Sequence, residues 1–173
     1  MALPNQIIAG FQASLWCQTS SNPTALTPTQ LATWTGEVAT IVGAVANGTG
    51  SGGEQLLVED IPAFGQDDAS ANFAVAGSRQ SDIIPTQSKP TSMTIVAAWN
   101  PSDAGLLLIR GDAYSGTVDR TFVIAVASGE NTVAYAFNGR VSEFKIDTNT
   151  KAEAKCTFTI HPRGNQYGWS NNT

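Results

Sequence analysis

The sequence predicts a mainly β (α+β) protein: an antiparallel β-sandwich or barrel with one flanking short helix and a long loopy hairpin arm. Three observations predict it. Apolar residues alternate through the last third of the chain: Phe122, Ile124 and Val126, then Val133, Tyr135 and Phe137, then Cys156, Phe158 and Ile160. A period of two marks strands with one buried face. A single helical pattern follows Asn100-Pro101. Between residues 43 and 90, Gly, Pro, Ser and Asp interrupt every run, and loops that long are normally functional or ordered by a partner. No repeat or linker separates two cores, so one domain is expected over 1–173. Within it lie an N-terminal arm (1–18), extended loops and a hairpin arm (43–90), a strand–helix–meander core (91–161) and a C-terminal tail (162–173).

In chain order, Pro4 and Gly10 bracket an apolar patch at Ile7 and Ile8, and a short strand is expected from Phe11 to Cys17. Pro23 and Pro28 sit in a Ser/Thr/Asn-rich loop. Thr33–Val45 reads as a strand, Gly48–Gly53 as irregular chain, and Gln55–Ile61 as extended chain again. Pro62–Asp68 reads as a further irregular link. Ala71, Phe73 and Val75 alternate in a strand, after which Pro85 and Pro90 are expected to stop structure. Met93, Ile95, Ala97 and Trp99 share one face of a strand. For the helix, Asn100 is the expected N-cap, Pro101 its first residue, and Asp103 an anion in the first turn. Ala104, Leu106, Leu107 and Ile109 form its apolar stripe, and Gly111 its end. Ser128-Gly129-Glu130-Asn131 is a tight turn. Asn138-Gly139 is either a hairpin turn or a bulge between two collinear strands, and Gly139 is the residue on which that geometry depends.

Charged residues are only 13% of the chain, about half the usual share of roughly 25%. Such a chain either hides much of its surface in an assembly or covers it with Ser, Thr, Asn and Gln. Residues 1–90 carry Arg79 and Lys89 against seven carboxylates, which accounts for the whole net charge of −5. No basic patch exists for tight nucleic-acid binding. MALPNQ has neither the charged nor the apolar part of a signal peptide, and no apolar run reaches the roughly 20 residues of a membrane span. A soluble product made in the cytoplasm, without membrane contact, is expected.

Catalytic chemistry finds little support. His161 is the only histidine, no hydrolase, zinc-protease or phosphate-loop motif is present, and we expect no enzyme and no cofactor. Cys17 and Cys156 lie far apart with no metal-ligand spacing; two buried apolar thiols fit best, with a disulfide left open. Glu54, Glu59, Asp60, Asp67 and Asp68 fit neither a glycosidase pair nor a calcium loop. Should copies form a ring with this region inside, its wall would be negative and would repel nucleic acid rather than hold it. These five are therefore the candidate lumen-facing residues. Tyr167 and Trp169, in a polar tail, are candidate contacts with a neighbouring subunit, as are Ile7 and Ile8.

Several stretches, in this order, resemble the major tail tube proteins of lambda-type siphophages. They are Pro4-Asn5, Ala9-Gly10 and Leu15-Trp16; an acidic, loopy region; the strand ending in AWNPSDAG; Gly139, Val141 and Ser142 within NGRVSEF; and the closing AEAKCTFTIHPRG. The resemblance implies a self-assembling virion protein made in the host cytoplasm. Its copies would close into hexameric rings and stack into a hollow tail tube, with hairpin-arm strands joined across subunits. It implies partners too: other copies of itself, a tape-measure protein in the lumen, and passing double-stranded DNA that is conducted but not specifically bound. Loops 43–56 and 77–90 and the N-terminal arm would then order on stacking. A tail-terminator or injection-system tube protein shares much of that fold. A carbohydrate-binding or adhesion β-sandwich is the alternative of another class, with Trp16, Trp34 or Tyr167 as stacking platforms.

Overall fold

The computed structural model describes residues 12–18, 53–74, 81–128, 131–147 and 154–172. Nine strands and one helix occur among them: β1 (Gln12–Gln18), β2 (Gly53–Leu56), β3 (Val58–Asp60), β4 (Gln66–Ala74), β5 (Ser81–Pro90), β6 (Met93–Ala98), α1 (Ala104–Ser115), β7 (Asp119–Ser128), β8 (Asn131–Asp147) and β9 (Lys155–Asn172). The protein is mainly β with one flanking helix among the described residues. Seven strands form one sheet in the order β2-β1-β7-β8-β9-β6-β3, and every pairing in it is antiparallel.

The two ends of that order, β2 and β3, are consecutive in the chain and separated only by Leu57. One short segment therefore pairs first with β1 (Leu56↔Leu15) and then with β6 (Val58↔Ala97). The sheet curls round to meet itself at this segment, as strands do in a barrel. The bend falls at Leu57, whose side chain points out, 65% exposed, while its carbonyl accepts from the Ala98 N–H at 2.9 Å.

The predicted alternation fills the interior. Leu15, Leu56, Met93, Ile95, Phe122, Ile124, Phe137, Val141, Cys156, Phe158 and Ile160 pack in one cluster, joined by Leu106 and Ile109 of α1. Phe122 stacks on Phe137 (5.8 Å between ring centres) and Phe144 on Phe158 (6.1 Å). Strand β7 departs from the one-faced expectation, because Thr121, Val123 and Ala125 on its other face are buried too. Part of the reason is the cross-strand row Trp16–Val123–Ala136, in which half-buried Trp16 sits on that second face.

The helix differs from expectation at both ends. Its N-cap is Asp103, whose Oδ1 accepts from the Leu106 N–H at 2.8 Å. Asn100 instead closes a turn, accepting from the Ser102 N–H at 3.0 Å. An Asx turn ahead of the helix and a cap both want a short polar side chain, so residue type alone does not separate Asn100 from Asp103. The helix runs through Gly111 and ends at Gly116, which has the left-handed φ of 64° that a cap requires. Ala104 and Leu107, expected in the apolar stripe, are exposed; the buried face is Gly105, Leu106, Ile109 and Asp112.

Two further stretches are regular where irregular chain is expected. Residues 81–90 form β5, paired with β4 from Gln66↔Pro90 to Ala74↔Ser81. Pro85 is tolerated because the register shifts beside it, between Ala69 and Ser70, and β5 pairs with no other strand among the described residues. The stretch 162–172, expected as a tail, continues β9, with Tyr135↔Trp169 and Thr132↔Asn172 in register. Its Asn, Gln, Gly and Ser content hides the strand from an apolar-period reading. Segments 53–56 and 81–90 thus have strand partners within one chain.

Candidate assembly surface

Strands β4 and β5 pair only with each other among the described residues and form a separate two-stranded sheet. Nine residues of β-strand extend about 30 Å, so this is an arm rather than a turn. It leaves the barrel after Phe64, whose ring packs edge-on against Tyr135 at 5.1 Å, and returns at Thr91. The Thr91 N–H donates to the Gly65 carbonyl (3.1 Å) and its hydroxyl to Asp67 Oδ2 (3.2 Å). A second ladder flank without a strand partner among the described residues lies on β9. Strand β6 covers only Lys155–Ile160, so beyond it one flank of β9 pairs with β8 at His161–Arg163 and Gly168–Asn172, and the other has no ladder partner among the described residues. Such flanks accept strands from other chains unless something blocks them.

The five acidic candidates separate into distinct roles. Glu54 is half-buried, and its Oε2 accepts from the Gly105 N–H at 2.8 Å, which binds β2 to the first turn of α1. Glu59 is ion-paired with Lys155 across the sheet exterior. Asp60 and Asp67 are exposed, Asp67 at the arm's root. Asp68 lies beside it in β4, with its side chain outside the described set. Ile7 and Ile8 lie outside the described residues. For Tyr167 and Trp169 the backbone lies in β9 and the side chains fall outside the described set.

Gly139 is not in a turn. It lies within β8, opposite Arg120 and Pro162, between register shifts at Ala136/Asn138 and Ser142/Lys145. Neither alternative for Asn138-Gly139 is found as such: β8 runs straight through in unbroken register with β7, and the nearby shift, between Ala136 and Asn138, is against β9, where Arg163 and Gly168 are the flanking partners. The glycine is required by space: a Cβ there would stand 2.7 Å from Ile160 Cγ2 and 3.3 Å from the Phe122 ring.

Two polar clusters carry no signal in the sequence. Arg120 is 1% exposed; its Nε donates to Asp112 Oδ2 at 2.6 Å, and it also donates to the Gln18 carbonyl. This pair ties α1, β7 and the end of β1 together. On the exterior, Asp119 Oδ1 accepts from Arg140 Nε at 2.9 Å and faces Arg163 at 3.7 Å. His161, expected as an ordinary strand-end residue, bridges two hydroxyls, with Ser92 Oγ at 2.8 Å from Nδ1 and Ser142 Oγ at 2.7 Å from Nε2. Both ring nitrogens thus meet hydroxyls, whereas a catalytic triad orients its imidazole with a carboxylate. Cys17 and Cys156 are free thiols and fully buried; burial pushes them up to about 12 and about 11. Among the described residues no three His, Cys, Asp or Glu side chains are grouped to hold a metal, and no helix is long and apolar enough to cross a membrane.

No family model and no curated protein matches the sequence. Solved structures match the fold. One is a chain of the anti-feeding prophage (AFP) baseplate, from a 6-fold symmetrised cryo-EM structure, with a TM-score of 0.57 and 10% identity; the match covers 98% of this chain and 97% of that one. Another is the SPP1 tail tube, determined by solid-state NMR and cryo-EM, with a TM-score of 0.50 and 12% identity over 70% of this chain and 71% of that one. At such identities the likeness is one of fold: this chain has a β-rich architecture shared with a phage tail tube protein and a prophage baseplate protein.

Proposed function

We propose that this protein is a structural subunit of a phage tail tube of the lambda type, not an enzyme. The observation that carries the reading is the β4–β5 arm, a paired ribbon that leaves a closed barrel and shares strands with nothing else among the described residues. A ribbon of that kind joins a neighbour by strand addition, and the flank of β9 after Ile160, without a ladder partner among the described residues, is a fitting acceptor. A head-to-tail contact of this type, repeated by rotation, closes a ring. Six copies per ring accord with the six-fold symmetry of the baseplate neighbour. Stacked rings enclose the tape-measure protein and later conduct DNA in the virion tail. Tyr167, Trp169, Ile7 and Ile8 serve as subunit contacts, and Asp60, Asp67 and Asp68 face the lumen. Glu59, neutralised by Lys155, adds little to its field.

A second reading is a ring-forming baseplate or injection-system tube component. Its specific support is the AFP baseplate neighbour, which is matched over nearly the whole of both chains.

The test is electron microscopy with light scattering on purified protein over a concentration series. Open-ended tubes support the first reading and rings that never stack the second. A species that stays monomeric at every concentration, with a protease-resistant arm, overturns both.

A further inference from the structure

We infer that His161 is a latch that fixes the direction in which the β4–β5 arm leaves the barrel. The arm meets the barrel at two chain crossings, both unusual. On the outgoing leg Gly65 has a φ of 154°, which L side chains rarely adopt. On the returning leg Thr91 is bonded back to Gly65 and Asp67, so the two legs are tied to each other. The next residue, Ser92, holds Nδ1 of His161, and Nε2 of the same ring holds Ser142 of β8. One imidazole therefore joins the arm's root to two neighbouring strands of the barrel.

Ser142 is itself specially placed. It opens the register shift between Ser142 and Lys145, and the following Glu143 is the one non-glycine residue with positive φ (58°) among the described residues. Of the three positive-φ residues described, Glu143 follows ring-bonded Ser142 directly, and Gly65 accepts from the N–H of Thr91, the residue before ring-bonded Ser92. Unfavourable backbone is retained where the surrounding geometry matters. Both serine hydroxyls can donate or accept, so either ring tautomer keeps both bonds. His161 and Ser92 are exposed, so water competes for the bonds, and they favour the latched arm over the released one only by a modest factor. The latch lies outside the apolar core, so opening it frees the arm and leaves the barrel folded. The device is independent of what the arm binds.

Arm direction is read by pulsed electron spin resonance between labels at Ala71→Cys on β4 and Tyr114→Cys on α1, both exposed. The native Cys17 and Cys156, fully buried, stay unlabelled. With His161 present the distance distribution is narrow. His161→Ala raises the released population about three- to tenfold. Ser142→Ala gives part of that effect, and His161→Gln, whose amide both donates and accepts, restores the narrow distribution. A His161→Ala distribution that superimposes on that of the parent overturns the latch, as does equal broadening by the control Thr157→Ala on the same face. Should His161→Ala fail to fold, Ser142→Ala carries the test alone, and its unchanged distribution overturns the proposal.

Discussion

Glu54 and Gly105 are joined by a 2.8 Å hydrogen bond from the backbone N–H at the start of α1 to the carboxylate of β2. Asp103 caps the adjacent Leu106 N–H, so two carboxylates satisfy orphan donors of one helix end. The same glycine packs so closely that a Cβ on it would lie 3.1 Å from Leu56 Cδ2 and 3.3 Å from Cys17 Sγ. Glu54→Ala should therefore destabilise the subunit by about 1–2 kcal/mol, as loss of a cap does. Denaturant unfolding measures it. A wild-type midpoint, with a defect only in DNA passage, would show that Glu54 acts in a lumen rather than in the fold.

Gly139→Ala should destabilise by roughly 1–3 kcal/mol, and Gly139→Val by more, because the new Cβ would overpack against Ile160 and Phe122. The loss should appear in the unfolding midpoint of the unassembled subunit. A defect seen only in tubes would show that Gly139 acts between subunits.

Asp112→Ala leaves Arg120 buried without its carboxylate and should cost about 3–5 kcal/mol. The double variant Asp112→Leu/Arg120→Met should recover a large part of that, since no buried charge is then left. Additive losses in a double-mutant cycle would contradict the coupling.

Burial raises the Cys17 thiol from 9.0 to about 12 and the Cys156 thiol to about 11. Both are neutral in the folded chain while the unfolded chain ionises from about pH 9. Their contribution is complete below pH 9 and is lost as pH rises toward 11–12. Each thiol loses at most about 1.4 kcal/mol for every pH step of one across that window. Unfolding midpoints should fall accordingly, and less steeply in Cys17→Ala/Cys156→Ala. Alkylation at about pH 8 should track global unfolding.

Asp60→Lys should change subunit stability by less than about 0.5 kcal/mol, because its side chain is exposed, while Asp67→Lys also removes the Thr91 hydrogen bond at the arm's root and should cost about 0.5–1.5 kcal/mol. Rings should form normally while DNA ejection slows, as favourable charge makes DNA adhere to the wall. Unchanged ejection would place these carboxylates elsewhere.

The meander and β6 are legible in the sequence because their period of two coincides with burial: Met93, Ile95 and Ala97 are buried between more exposed neighbours. Strand β5 and the end of β9 are not, because polar, proline-bearing or glycine-bearing strands carry no apolar period. The sequence shows that Glu54 and Glu59 are acidic, but not that one caps a helix and the other meets Lys155, 96 residues away. Nor does it show a solitary histidine between two serines, since those contacts span 69 and 19 residues.

The segment 53–60 serves as both rims of the same sheet, with only Leu57 between its two ladders. An insertion or deletion of one residue there would reverse which side chains of β3 face inward while leaving β2 unchanged, and the seam could not close on both sides. The link between β4 and β5 has no such constraint, since lengthening a ribbon leaves every barrel pairing in place. Proteins built on this plan should therefore hold one length across the seam and differ freely in the reach of the arm.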